Sequence, residues 1–356
     1  MKRGLVVLDE DETSLRELKE RVSTLQGSLA EKGLAAALVY GDVYHSGDIT
    51  YLSNICLYWN EAILAVPARG EPALLTKLSR RVQPWMKRTS SLEDLRSGPH
   101  LAAAVNEFVG ELDEGRIGFV EETWWPAPLL ADVREALGGR GSIDLGGIVR
   151  QRRETPSDSE LQLLRTASEL TARSVGVGLD TRMTPNERAG RAELTARQGG
   201  VEDVAVYSRA VAPDADTLEV VAEYRGYWTA AARVLTRATI PWAQAMDAAY
   251  REAASFLRDG ITADALSSGV ARHLSGSSLP WCLELMHHVD VETGGGYRLP
   301  VQRHEPVRTG AVVSMRLAME LPSGQSAVGA DTYAIGTDRA ERLTRHLPND
   351  VVVSVA

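Results

Sequence analysis

From residue 13 to residue 138 two periodicities take turns, and that alternation limits the architecture more than any other feature. Leu15, Leu18, Val22, Leu25 and Leu29 recur at helical spacing over residues 13–32. The apolar run Leu34–Tyr40 follows as a buried strand, with Asp48–Ser53 and Glu61–Pro67 after it. Arg69-Gly-Glu-Pro72 reads as a turn and Ala73–Thr76 as the next strand. Helical spacing returns over 99–112, Arg116–Val120 is again a strand, and 127–138 again a helix. Strands alternating with helices specify an α/β domain.

The second half is patterned differently. Residues 147–157, arginine-rich with Pro-Ser punctuation, mark a join. A chain of 356 residues favours two domains, and the join places them at 1–155 and 156–356. An amphipathic helix is expected over about 158–178. Thr184-Pro-Asn-Glu187 has the form of a capping box with proline at the first helical position, so another helix starts there. A β-rich pair over 217–237, helices over about 241–258 and 262–273, and strands with glycine-rich turns over 282–336 complete an α+β domain.

Composition narrows the function classes. With 44% hydrophobic and 24% charged residues the chain is an ordinary globular protein. A net charge of -9 disfavours binding nucleic acid through its phosphates. No apolar run approaches membrane-spanning length, and acids interrupt the apolar start at once, unlike a signal peptide; a cytoplasmic protein is expected. Lysine scarcity with abundant alanine, glycine and valine suggests a GC-rich bacterial source. Cys56 and Cys282 sit between apolar or aromatic residues and are expected as buried, reduced thiols.

Asp48-Ile-Thr-Tyr-Leu52 with Gly70-Glu-Pro72, then Gly226-Tyr-Trp-Thr-Ala-Ala-Ala-Arg233, Gly310-Ala-Val-Val-Ser-Met315 and Leu321-Pro-Ser-Gly324, occur in an order that resembles the creatinase and aminopeptidase P superfamily, and within it creatinase. The resemblance implies a creatinase-like α/β N-terminal domain, a pseudo-symmetric pita-bread C-terminal domain and a homodimer. The superfamily's peptidases hold two divalent ions with two Asp, one His and two Glu. Placed residue by residue, those positions fall on Glu219, Ala230, Leu285, Arg316 and Ala330. Alanine and leucine offer no lone pair and arginine repels a cation, whereas hard cations need several carboxylates; no metal or other cofactor is expected. Creatinase itself is metal-free, with a histidine base and two glutamates on a guanidinium group. Here Tyr207–Pro213, where that histidine belongs, contains none, and the two glutamate positions fall on Ala232 and Arg316.

The candidate catalytic residues are therefore His287, His288, Glu292 and Glu219. His287 shares strand parity with Leu285 and is the first choice for a general base near neutral pH; a structural histidine is the competing reading. Arg316 is the candidate anchor for a substrate anion, or else the partner of Glu219 in an ion pair. Tyr227, Trp228 and Arg298, with His45 and Trp59 from the N-terminal domain, complete the candidate substrate contacts, although a tryptophan at position 228 is more often core than a ligand platform. Three functions compete. The first is a metal-independent C–N hydrolase, lyase, cyclase or isomerase acting on a small anionic molecule in specialised metabolism. The second is a catalytically inactive relative that binds a ligand or protein. The third is a metallopeptidase with a displaced site.

Overall fold

The computed structural model describes residues 7–57, 59–180, 182–291 and 303–354. Glu292, Arg298 and the Thr293–Gly296 turn lie outside them. The chain divides into two compact units, residues 2–153 and 154–356.

In the N-terminal unit, β1 (Leu34–Gly41), β2 (Ala62–Pro67), β3 (Ala73–Thr76), β4 (Asp94–Ser97), β5 (Arg116–Val120) and β6 (Ser142–Asp144) form one mixed sheet, ordered β4-β3-β2-β1-β5-β6. Helices α1 (Leu15–Glu31), α2 (Gly47–Ser53), α3 (Gln83–Thr89), α4 (Leu101–Gly110), α5 (Ala127–Ala136) and α6 (Arg150–Arg153) accompany it. The strands are buried on both sides, by Val22, Leu25 and Leu29 of α1 on one face and by Val105, Phe108 and Val133 of α4 and α5 on the other. This is why they read as continuous apolar runs. The segment Asp48–Ser53, placed by the sequence among the strand runs, is helical, and buries Ile49 and Leu52 on one side.

The C-terminal unit holds α7 (Asp158–Val177), α8 (Pro185–Gln198), β7 (Asp203–Ala212), β8 (Ala215–Tyr224), β9 (Tyr227–Thr236), α9 (Pro241–Ser255), α10 (Ala263–Leu274), β10 (Trp281–His287), β11 (Val312–Glu320), β12 (Ser326–Ala334), β13 (Glu341–Arg342) and β14 (Val352–Ser354). Its sheet runs β10-β11-β12-β9-β8-β7, with β13 on β12 and β14 on β9. The capping box expected at Thr184 and Glu187 is present, with Pro185 opening α8, and Ser157 and Glu160 build a second at α7.

The helices choose one face of this sheet. Leu218, Val220, Ala222 and Ala231 pack under α7 and α8. Leu283, Leu285, Val313, Met315 and Leu317 pack under α9 and α10. Alternation then turns the intervening residues to the other face. Beneath the helices Arg233 and Asp331 form an ion pair of 2.9 Å in which both side chains are 0% exposed. Arg233 also donates to the carbonyls of Ala330 and Pro348, and Thr344 donates to Asp331. The two Nη groups of Arg233 are thus met, which offsets much of the cost of burying the pair, while its Nε has no partner among the described residues.

Candidate functional site

Register decides which side chains share the face turned away from the helices. Glu219 lies opposite Ala232 and Val221 opposite Ala230; Ala232 meets Ala330; Ala330 meets Arg316; Arg316 meets Glu284. One row across the sheet therefore reads Glu219, Ala232, Ala330, Arg316, Glu284. Three strand intervals separate Glu219 from Arg316, about 14 Å at ~4.8 Å each. Only the methyl groups of Ala232 and Ala330 stand between them. No bulky side chain in the row stands in the way of the contact between Glu219 and Arg316.

Arg316 Nε donates to Glu219 Oε1 at 3.0 Å and Nη1 donates to Glu284 Oε2 at 3.1 Å. The Glu219 side chain is 5% exposed, Arg316 18% and Glu284 28%. Burial works to lower the affinity of the Arg316 guanidinium for its proton, but the two carboxylates more than offset this and hold it above its ordinary value. The expected approach of Glu219 and Arg316 is thus observed. Glu284 was not anticipated. Its signal was a lone acid inside the apolar strand Trp281–His287, two residues from Cys282 and Met286 and hence on their face.

The next row carries Val221, Ala230, Thr332, Ser314 and Met286. The Thr332 hydroxyl receives the Ala230 amide at 3.0 Å and donates to the Ala230 carbonyl at 2.9 Å, tying β12 to β9 beyond their direct pairing. One row further, Glu223 pairs with Trp228. Trp228 packs with Val221, Ala230 and Met286 as a small apolar cluster on this face. The β8–β9 hairpin turns on Arg225 and Gly226, at φ 54° and 85°, the left-handed pair that such tight turns need. Glu202 holds the turn, accepting the Arg225 amide at 2.7 Å and its Nη1 at 2.9 Å. Burial first, then the nearby Glu223, push the Glu202 carboxyl up to about 7.

Several sequence-predicted residues are not part of the Glu219–Arg316–Glu284 row. Leu285 faces the helices, so Glu284, and not Leu285, stands beside Arg316. His287 shares that parity and lies across from Val313, also a helix-side residue. The strand pleat therefore turns the first-choice base away from Glu219 and Arg316. His288 begins the turn after β10 and stacks on Tyr227, ring centroids 6.2 Å apart. Tyr227 itself belongs to the helix side, where its hydroxyl donates to Glu160 at 2.9 Å. His45 lies in the N-terminal unit, its Nδ1 3.2 Å from Asp42 and its ring over Trp124. Trp59 stacks on Trp85 in the same unit. Cys282 is exposed and Cys56 half-buried, correcting the expectation of two buried thiols. β10 is an edge strand and Cys282 points to its open face. Burial and Glu284 raise the Cys282 thiol above its ordinary value, which disfavours a nucleophilic thiolate.

Residues 21–155 match the creatinase/prolidase N-terminal domain family. The N-terminal unit is thus similar to creatinase/prolidase N-terminal domains. Across the whole chain the fold is that of the X-Pro aminopeptidase from Thermotoga maritima MSB8, with a TM-score of 0.79 at 19% identity over 94% of this chain and 99% of that one. The Xaa-Pro dipeptidase from Bacillus anthracis matches with a TM-score of 0.76 at 15% identity, over 95% of this chain and 100% of that one. The prolidase from Pyrococcus horikoshii OT3 matches with a TM-score of 0.74 at 16% identity, over 91% and 98%. No curated protein matches the chain. The creatinase/prolidase N-terminal domain is thus followed by a pita-bread domain, as the sequence motifs implied.

The metal pair implied by the resemblance does not fit the donors present. Of the matched positions, Glu219 alone offers a carboxylate. Ala230 and Ala330 offer none, Leu285 faces the helices, and Arg316 brings a guanidinium into the middle of the row. Among the described residues no three His, Cys, Asp or Glu side chains gather into a possible metal group. No described helix is long and apolar enough to cross a membrane.

Proposed function

We propose that this chain is a metal-independent enzyme built on the pita-bread fold, acting on a small molecule that carries an acidic group. The observation that carries the reading is Arg316, held by Glu219 and Glu284 on the sheet face turned away from the helices. Its Nε and Nη1 are engaged, while Nη2 has no hydrogen-bond partner among the described residues, so that edge is available to a carboxylate or carbonyl oxygen of a ligand. The net charge of the Glu219–Arg316–Glu284 group is negative, which weighs against a bare anion and favours a substrate with further hydrogen-bonding groups. Glu219 and Glu284, adjacent to a fixed cation, suit proton transfer in C–N hydrolysis, elimination, cyclisation or isomerisation. The proposal includes a homodimer, which light scattering tests.

A second reading is favoured by Trp228 and Met286, which fill part of the same face with apolar bulk. That is what a ligand-binding relative without catalysis needs. The two readings separate in one experiment. Chelator-treated protein is incubated with a panel of small N-substituted amino acids, and products are followed by mass spectrometry. The enzyme reading expects turnover that chelator leaves intact and Arg316→Met abolishes. Turnover appearing only with added Mn(II) or Co(II) would overturn metal independence. Saturable binding without turnover would favour the second reading.

A further inference from the structure

We propose that strand β7 pairs with its own copy in a second molecule, antiparallel and centred on Val206, so that two C-terminal units share one continuous sheet. The inference rests on the homodimer in the reading above, to which it gives a surface and a register, and it does not depend on catalysis. β7 spans Asp203–Ala212 and ends the sheet, pairing with β8 alone among the described residues. Asp203 to Ser208 are half-buried, and Arg209 and Ala210 are exposed. An edge strand presents a row of unpaired backbone donors and acceptors, and proteins blunt it with proline, lysine, a bulge or short length. From Asp203 to Arg209 the ladder against β8 is regular and holds neither proline nor lysine; the bulge comes only after Ala210. Beyond it the Ser323 hydroxyl meets the Val211 carbonyl at 2.8 Å. The other sheet edges suit a two-fold contact less well. β4 and β6 have only 4 and 3 residues. The one carboxylate of β10 is Glu284, which finds no opposite charge on its own strand and already accepts from Arg316.

A two-fold axis between antiparallel neighbours stands perpendicular to the sheet, so each face continues into the partner and residues of equal parity oppose one another. Asp203 lies opposite Glu223 and Arg209 opposite Thr217, which puts both on the face turned away from the helices, with Ala205 and Tyr207 between them. With the axis at Val206, Asp203 of each copy opposes Arg209 of the other, and Ala205 opposes Tyr207. Moving the axis to Ala205 sets Asp203 against Tyr207, and moving it to Tyr207 sets Asp203 against Val211; neither joins opposite charges. Directly opposed Cβ atoms lie about 4.5–5.5 Å apart, within reach of an ion pair. Arg209 Nη1 donates to the neutral Gln325 Oε1 at 3.2 Å and makes no ion pair among the described residues. Asp203 Oδ1 accepts the Val204 amide at 2.9 Å, and a carboxylate has lone pairs left for a further donor. Tyr207 lies opposite Glu219, so the join brings each copy's Ala205 to the end of the other's Glu219–Arg316–Glu284 row.

Sedimentation velocity over a concentration series compares the full-length protein with Asp203→Arg, Arg209→Asp and the variant carrying both. Each single reversal sets like charges opposite one another at two equivalent places and should weaken dimerisation at least about tenfold, whereas the double reversal restores opposite charges and should return to within about threefold of the parent. Cross-linking reads the register independently, in a background carrying Cys56→Ser and Cys282→Ser. Val206→Cys should form an intermolecular disulfide on mild oxidation, because directly opposed Cα atoms lie ~4.5–5.5 Å apart. Ser208→Cys should not, since the axis sets it four residues from its own copy, about 13 Å at ~3.3 Å per residue. A dimer that tolerates both single reversals, a double reversal as weak as the singles, or equal cross-linking of Ser208→Cys and Val206→Cys would overturn the β7 interface while leaving the homodimer to another surface. A parent that stays monomeric would overturn both. Assemblies that keep growing with concentration would indicate β7 on β10, a head-to-tail contact that does not close, and would overturn the two-fold register.

Discussion

Replacing Arg316 with methionine should destabilise the C-terminal unit far more than a surface change, and for a specific reason. Glu219 is 5% exposed and its carboxylate lies 3.0 Å from Arg316 Nε. At that distance and an effective dielectric near 20, the Coulomb attraction is ~5 kcal/mol. Desolvation of both groups opposes most of it, so the pair itself contributes little net stability. Removing one partner is different, because the desolvated carboxylate loses the Arg316 counter-charge; such losses run to about 3–5 kcal/mol. Glu284, at 28% exposed, is screened by solvent and should add under ~1 kcal/mol. The assay is a double-mutant cycle by urea denaturation at pH 7.5, using Arg316→Met, Glu219→Gln and the double variant. Arg316→Met alone should cost ~3 kcal/mol or more. The double variant should recover most of that, giving a coupling of at least ~2 kcal/mol. Additive effects within ~0.5 kcal/mol would refute the claim that these side chains form one desolvated pair.

Further outcomes follow from the same face and the strands beneath it. Ala330→Leu should intrude between Arg316 and Glu219 at a cost of about 1–3 kcal/mol from overpacking, and Arg316→Met in that background should then add under ~1 kcal/mol in urea melts. Glu202→Gln should change the pH dependence of stability. The folded carboxyl titrates near 7 against an ordinary 4.5, so the native state binds the proton more tightly, and the stability contributed by that proton is full below about 4.5 and lost as pH rises through 7. The parent should therefore lose up to ~3 kcal/mol relative to Glu202→Gln between pH 4.5 and pH 8, read from melts at several pH values; parallel curves would contradict this. Gly329→Ala should destabilise by ~1–3 kcal/mol, because an added Cβ would stand 2.7 Å from Val351 Cβ. Thermal melts check it.

The fold was legible where one physical signal dominated. The helical spacing of Leu18, Leu25 and Leu29 and the capping box at Thr184 are local, and both elements appear as read. Asp48–Ser53 was not, since the seven-residue helix that holds it, Gly47–Ser53, is too short to separate helical from strand periodicity. At the site, Glu219 and Arg316 were legible because their motifs fixed both strands. The placing of His287 was not, because a one-residue difference in strand parity exchanges the two faces of a sheet. Glu284 shows the same limit from the other side. Nothing in its local sequence reveals that Arg316 lies directly across from it, 32 residues later. The roles of Ala232 and Ala330 are positional too: an alanine in a strand reads as filler until the register places it between Glu219 and Arg316.

Whether an arginine or a metal pair organises this face is decided most directly by a crystal structure of protein soaked in Mn(II), with anomalous maps calculated at the manganese edge. The expected result is the Arg316 guanidinium between Glu219 and Glu284, with no anomalous peak within reach of either carboxylate. Manganese bound to Glu219 or Glu284, with Arg316 swung away from them, would contradict it.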